Sequence, residues 1–163
     1  MTITYRRAHV ADAPRLYPRW LTMREHNASH DARIELAAVD EDEFTTGLAE
    51  SLARPGATVI VADAGDVIAG FLSANVVGSA PDRVPERHVS VGYIFVEPGY
   101  RRQGVAQSLM NAVRAWAATQ SGVTHLEMPV LAADEEAAAF WQSAGFSPFI
   151  QRLWSSLDSR PAP

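Results

Sequence analysis

The stretch Val89–Gln107, VSVGYIFVEPGYRRQGVAQ, decides how the rest of the chain is arranged. Val89 to Val96 is an apolar, β-branched and aromatic run, the composition of a buried strand. Glu97-Pro98-Gly99-Tyr100 is a turn signal, and Arg101-Arg102-Gln103-Gly104 then opens directly into a helical pattern. A helix start leaves its first amides, here those of Gln103 to Ala106, without intrahelical acceptors. Two guanidinium groups beside them, and a glycine that allows close backbone approach, suit a phosphate or pyrophosphate. The expected role of this loop is an anion cradle.

Working outward, 163 residues suit one domain with a sizeable core, expected over 1–156 with a flexible tail at 157–163. Hydrophobic residues at 47% and charged residues at 20% are ordinary for a globular protein. The absence of cysteine removes disulfides, thiolate metal sites and a cysteine acyl-enzyme. A net charge of −5 argues against nucleic acid as partner and favours a cationic substrate. MTITYRRAHVADAP has no long apolar run, so neither a signal peptide nor a membrane span is expected and the cytoplasm is the default location. No lysine is present, so phosphate contacts fall to arginine and backbone.

Upstream, Thr2 to Ala8 reads as a short strand. A helix follows through Leu16, Trp20 and Met23, bent or broken at Pro18. Acids Asp40 to Glu43 suit the start of a second helix through Phe44, Leu48 and Leu52, stopped by Pro55-Gly56. Ala57–Ala62 and Val67–Val77 read as a hairpin, and Gly78 to Arg87 as a loop. Downstream, Val105, Leu109, Ala112, Val113 and Trp116 share one face of a helix reaching about Gln120. A strand His125–Leu131, a short helix opened by Asp134, and a last strand Phe146–Trp154 complete the chain. The expected fold is α/β, with a mixed sheet and helices on both faces.

Arg101-x-x-Gly104-x-Ala106 matches the R/Q-x-x-G-x-G/A signature of the GNAT superfamily of N-acetyltransferases. Asp134-Glu-Glu-Ala137-Ala-Ala-Phe140-Trp141-Gln-Ser-Ala-Gly145-Phe146 resembles the family's second signature, N-x-x-A-x-x-F-Y-x-x-x-G-F. The element order resembles the GNAT fold over nearly the whole chain, with a mostly antiparallel central sheet. That resemblance implies acetyl-CoA as acyl donor and direct acetyl transfer to an amine of a small molecule or peptide. It implies that Arg101, Arg102, Gln103, Gly104, Val105 and Ala106 hold the pyrophosphate, with Asp134 and Trp141 also beside the cofactor. A backbone N–H near Phe95 or Val96 would polarise the thioester carbonyl. Pro129 suits a place where the strand carrying it parts from its neighbour, which the resemblance implies leaves room for the pantetheine arm; a sheet edge or bulge would accommodate it equally.

The chain departs from the family pattern in two places, the cradle strand and Trp141. Ser90 and Gly92 stand where a base carboxylate is frequent on the cradle strand, and neither can serve. Glu86 and His88 share their parity and are the expected base candidates, if the strand reaches that far back and no bulge intervenes. An imidazole titrates near neutral pH and can act through water. Trp141 replaces the tyrosine that protonates the thiolate; an indole N–H can donate a hydrogen bond only, and core packing explains it equally well.

His26-x-x-x-His30 has the spacing of two ligands on one helix face. Pro18 argues against a helix there, so the pair reads as solvated surface histidines and no metal is expected. Segments 23–42 and 78–88 are expected to flank the acceptor cleft. The expected partners exclude nucleic acid and membrane, and a homodimer is left open. The alternative to an enzyme is a module that binds or senses acyl-CoA without transferring it.

Overall fold

The computed structural model describes residues 2–157. Its elements are β1 (Thr4–Arg7), α1 (Ala13–Ser29), α2 (Glu41–Ala53), β2 (Ala57–Asp63), β3 (Ile68–Gly78), β4 (Arg87–Val96), α3 (Val105–Ala117), β5 (Val123–Glu127) and α4 (Glu135–Ser143). The sheet runs β1-β2-β3-β4-β5 in chain order. Every pair is antiparallel except β4 with β5, which is parallel because α3 crosses over between them.

Helices cover both faces, which is why β2 and β3 read as continuous apolar runs. On one face Leu16 and Met23 of α1 and Leu48 of α2 pack on Val59, Val61, Phe71 and Phe95. On the other, Val105, Leu109, Met110 and Val113 of α3, with Trp141 of α4, pack on Ile60, Leu72, Ala74, Val89 and Val91. The acids before Phe44 form a reciprocal cap: Asp40 accepts from Glu43 N at 2.9 Å, and Glu43 accepts from Asp40 N at 3.1 Å.

Three sequence expectations are corrected. Pro18 lies inside one uninterrupted helix, and the chain stays helical through His26. Proline at this place removes one helical bond, the one that would reach Pro14 O in the first turn, and the rest of the ladder continues. The strand expected over Phe146–Trp154 is not formed. Phe146 N is taken by Trp141 O, Pro148 has no donor, and Phe149, Ile150, Leu153 and Trp154 are exposed. Finally, β5 begins at Val123 and stops at Glu127, so Pro129 lies beyond the strand rather than in it. Of the expected tail 157–163, all but Leu157 falls outside the described residues. No described helix is long and apolar enough to cross a membrane.

An ion-pair network ties β1, α1 and β2 together. Arg6 reaches Asp12 at 2.8 Å and Asp63 at 2.6 Å, and Arg15 reaches Asp63 at 2.9 Å. Hydrogen bonding from Arg15, then from Arg6, holds the Asp63 carboxyl down from 3.8 to about 2. A carboxyl whose folded-state value is depressed stabilises the fold fully above its unfolded value, and the contribution is lost as pH falls through the folded one. Wild-type stability should therefore decline between about pH 4 and pH 2 partly through Asp63. Denaturant melts across that window should show a shallower decline for Asp63→Asn, and parallel curves would exclude the linkage.

Candidate active site

The loop between β4 and α3 has the backbone of an anion-binding nest. After β4 ends at Val96, a 3-10 turn Pro98–Tyr100 redirects the chain. Arg102 then takes φ 61° and Gly104 φ 80°, two left-handed residues separated by one. Such alternation turns successive N–H groups toward one concave side. Among the described residues no protein acceptor meets the amides of Arg102 to Ala106; the first helical bond is Ser108 N to Gly104 O at 3.0 Å. Arg101 Nε donates to Val96 O at 3.2 Å, which anchors that guanidinium beside the end of β4. Arg102 and Gln103 are exposed, while Val105 is buried beneath and fixes the helix start. A Cβ at Gly104 would meet nothing within 4 Å, so the glycine is needed for its backbone conformation and not for space.

Next to the cradle the sheet opens. The β4–β5 ladder runs from Arg87↔Val123 to Ser90↔Glu127 and stops there, whereas β4 stays paired with β3 as far as Val96. On the β3 side the register shifts between Ala74↔Val91 and Leu72↔Ile94, which leaves Gly92 and Tyr93 opposite Ser73. Tyr93 N donates to Ser73 Oγ at 3.0 Å, and a Cβ on Gly92 would lie 2.8 Å from that same oxygen. Glu97 N donates to Ala69 O at 2.9 Å. By strand alternation the Phe95 N–H also faces β3, while those of Ile94 and Val96 face the side that β5 has left. Of the two amides expected to meet a carbonyl, the register turns only Val96's into the gap, and it adds Ile94's.

His88 lies within β4, whose pairing with β3 is regular from Arg87 to Val91, so the parity linking His88 to Ser90 holds; the register shift between Arg87 and Val89 on the other side puts its extra residue in β5. Its Nδ1 is 3.1 Å from Ser79 Oγ and its Nε2 is 3.5 Å from Glu127 Oε2. His125 Nε2 is 3.2 Å from Glu127 Oε1, and the two imidazoles stack at 5.3 Å with an interplanar angle of 16°. A carboxylate only accepts, so His125 Nε2 is the donor to Glu127, while His88 Nε2 faces the other carboxylate oxygen at a longer distance. Glu86 is not part of this cluster: it is exposed just before β4, with only its carbonyl engaged, by Ser79 N at 2.8 Å. The carboxylate that meets His88 is Glu127, from the adjacent strand. The alternation His125-Leu-Glu127 carried that signal, but only the parallel register brings it beside His88.

The other expected residues lie as follows. Trp141 is 3% exposed and edge-on to both Phe140 (5.0 Å) and Phe146 (5.1 Å), a core residue between α3 and α4. Asp134 caps α4 by accepting from Ala137 N at 2.9 Å. A separate cleft of about 600 Å³ lies between α1 and the segment 36–40, lined by Tyr17, Leu21, Arg24 and Glu25. It lies in the 23–42 region expected to flank an acceptor, and it does not include the His88 cluster.

A family model for the acetyltransferase (GNAT) family matches residues 18–146, and the chain belongs to that family. The fold resembles a mutant of the BH1408 protein from Bacillus halodurans, with TM-score 0.81 at 18% identity over 94% of this chain and 99% of that one. It also resembles the aminoglycoside N-acetyltransferase AAC(6')-Iy in complex with CoA, with TM-score 0.75 at 19% identity over 97% and 96% of the two chains. Glucosamine-6-phosphate N-acetyltransferase from Arabidopsis thaliana superposes with TM-score 0.72 at 12% identity over 97% and 100%. No curated protein sequence matches significantly.

Because the Gly104 Cβ position is open, Gly104→Ala isolates the conformational penalty of a left-handed residue. Its expected cost is about 1–2 kcal/mol of folding stability, read by urea denaturation. An unchanged midpoint would mean that the loop relaxes out of the nest.

Proposed function

We propose that this protein transfers an acetyl group from acetyl-CoA to the amine of a small molecule or peptide. The observation that carries this reading is the row of unpaired amides at Arg102–Ala106, flanked by two arginines and adjoining the opening between β4 and β5. In this reading those amides and Arg101 and Arg102 bind the pyrophosphate. The opening takes the pantetheine arm, and the Val96 N–H hydrogen-bonds the thioester carbonyl, where negative charge grows in the transition state.

Attack requires a neutral amine. For a lysine-like amine, losing the proton at pH 7 costs about 4.6 kcal/mol, whereas an α-amino group near its ordinary value costs about 1.4 kcal/mol. Glu127 retains free lone pairs beside His88 and after accepting from His125, so the proton passes through water to this carboxylate–imidazole cluster. The N–C bond forms as the C–S bond breaks, and a proton from water neutralises the departing thiolate. Trp141 is assigned packing, and Glu86 no chemical step. The acceptor enters from the side of the sheet that α1 and α2 cover. The acids of segments 23–42 and 78–88 favour a cationic amine. Trp141 in place of tyrosine also fits the second reading, an acyl-CoA-binding module without transfer; release of free CoA thiol with an amine panel separates the two.

Gly104→Asp places an anion at the cradle and should weaken CoA binding by roughly tenfold or more in calorimetry. Unchanged affinity would remove the cradle assignment. His88→Ala and Glu127→Gln should each depress transfer more at about pH 7 than at about pH 9, where amines deprotonate unaided. Equal losses at both pH values would remove the cluster as base.

A further inference from the structure

We propose that His26, His30 and Asp134 form a binding site for a divalent transition-metal ion that joins the end of α1 to the start of α4. The uninterrupted run of α1 past Pro18 places His26 and His30 one turn apart on the same helix face, with Nε2 atoms 3.2 Å apart and rings nearly perpendicular at 88°. Asp134 arrives from a part of the chain that the histidine spacing could not anticipate. Its Oδ2 lies 3.5 Å from His30 Nε2, and the three donor atoms all fall within 4.8 Å of one another. A tetrahedral zinc ion with bonds near 2.0–2.1 Å holds neighbouring donors about 3.3 Å apart; two pairs here stand at 3.2 and 3.5 Å, and His26 with Asp134 closes the triangle within 4.8 Å.

Proton bookkeeping favours an ion at this point. His30 Nε2 faces both His26 Nε2 at 3.2 Å and the Asp134 carboxylate at 3.5 Å, so a single N–H there would have to be shared between two acceptors. Neutral imidazoles bound through both Nε2 atoms direct two lone pairs at one centre, and the carboxylate adds a third. Asp134 is oriented for this: its Oδ1 is committed to Ala137 N at 2.9 Å, which leaves Oδ2 as the single ligand oxygen. The side chain of Asp134 is only 10% exposed and that of His30 23% exposed, while His26 lies at the surface, which leaves the fourth position to solvent. The similar group His88, His125 and Glu127 lacks this conflict. There each imidazole meets its own oxygen of Glu127, and Ser79 completes His88, so every donor has an acceptor without an ion.

The test is calorimetric titration of zinc(II) into the metal-stripped full chain in a non-coordinating buffer at neutral pH. The expected result is one ion bound with micromolar or tighter affinity. His30→Gln and Asp134→Asn should each weaken it by about tenfold or more, the latter while retaining a competent helix cap. His125→Gln should leave it unchanged. Absence of a stoichiometric ion, or full affinity in the His26→Gln/His30→Gln double variant, overturns the site. Should the variants fail to fold, cobalt(II) added to the wild-type protein gives the answer. Broadening of the His26 and His30 imidazole signals with four-coordinate visible absorption supports the site, and broadening of His88 and His125 instead refutes it.

Discussion

The arrangement turns on unequal pairing of one strand. β4 keeps its antiparallel ladder with β3 to Val96, but its parallel ladder with β5 ends at Ser90↔Glu127. Backbone polar groups in a sheet interior must find partners, so a strand that loses one neighbour midway leaves amides facing open space. Here those amides belong to the half of β4 that leads into the glycine-bearing loop. The opening follows from that departure, and the His88–Glu127 contact sits beside the last paired rung before it.

What keeps the two strands apart is local covalent character as much as packing. Pro129, two residues past β5, cannot donate to a ladder, so pairing with β4 cannot continue through it. Opposite it, the Gly92–Tyr93 bulge is locked by Ser73, whose hydroxyl accepts from Tyr93 N and occupies the space a side chain at Gly92 would need. The bulge carries Ile94 and Val96 onto the α3 face and Phe95 onto the α1–α2 face, where it stacks on Phe71 at 5.9 Å. Rigid packing below therefore fixes the direction of the amides above.

Charge is distributed unevenly over this scaffold. The chain is acidic overall, yet the cradle presents Arg101 and Arg102 at the surface with amides behind them. Elsewhere arginine is spent on structure: Arg6 and Arg15 hold Asp12 and Asp63, and Arg19 bridges α1 to Glu97 at 2.8 Å, directly after β4. That last contact ties α1 to the turn that leads from β4 into α3.

From the residues alone came the strand–loop–helix order at Val89–Gln107, the hairpin, the capping of α2 and α4, and the family resemblance. All are local: turn residues, caps and periodicity act within a few positions of each other along the chain. The register lay beyond that reach, because a bulge at Gly92 and a ladder ending at Ser90↔Glu127 depend on contacts between distant segments. So His88 was legible as a candidate but its partners were not, since Ser79 and Glu127 meet it only across strands. The same holds for Asp134 beside His30. The strand expected at Phe146–Trp154 failed for the converse reason: local propensity was strand-like, but a strand exists only where a neighbour accepts its hydrogen bonds, and this fold supplies none among the described residues.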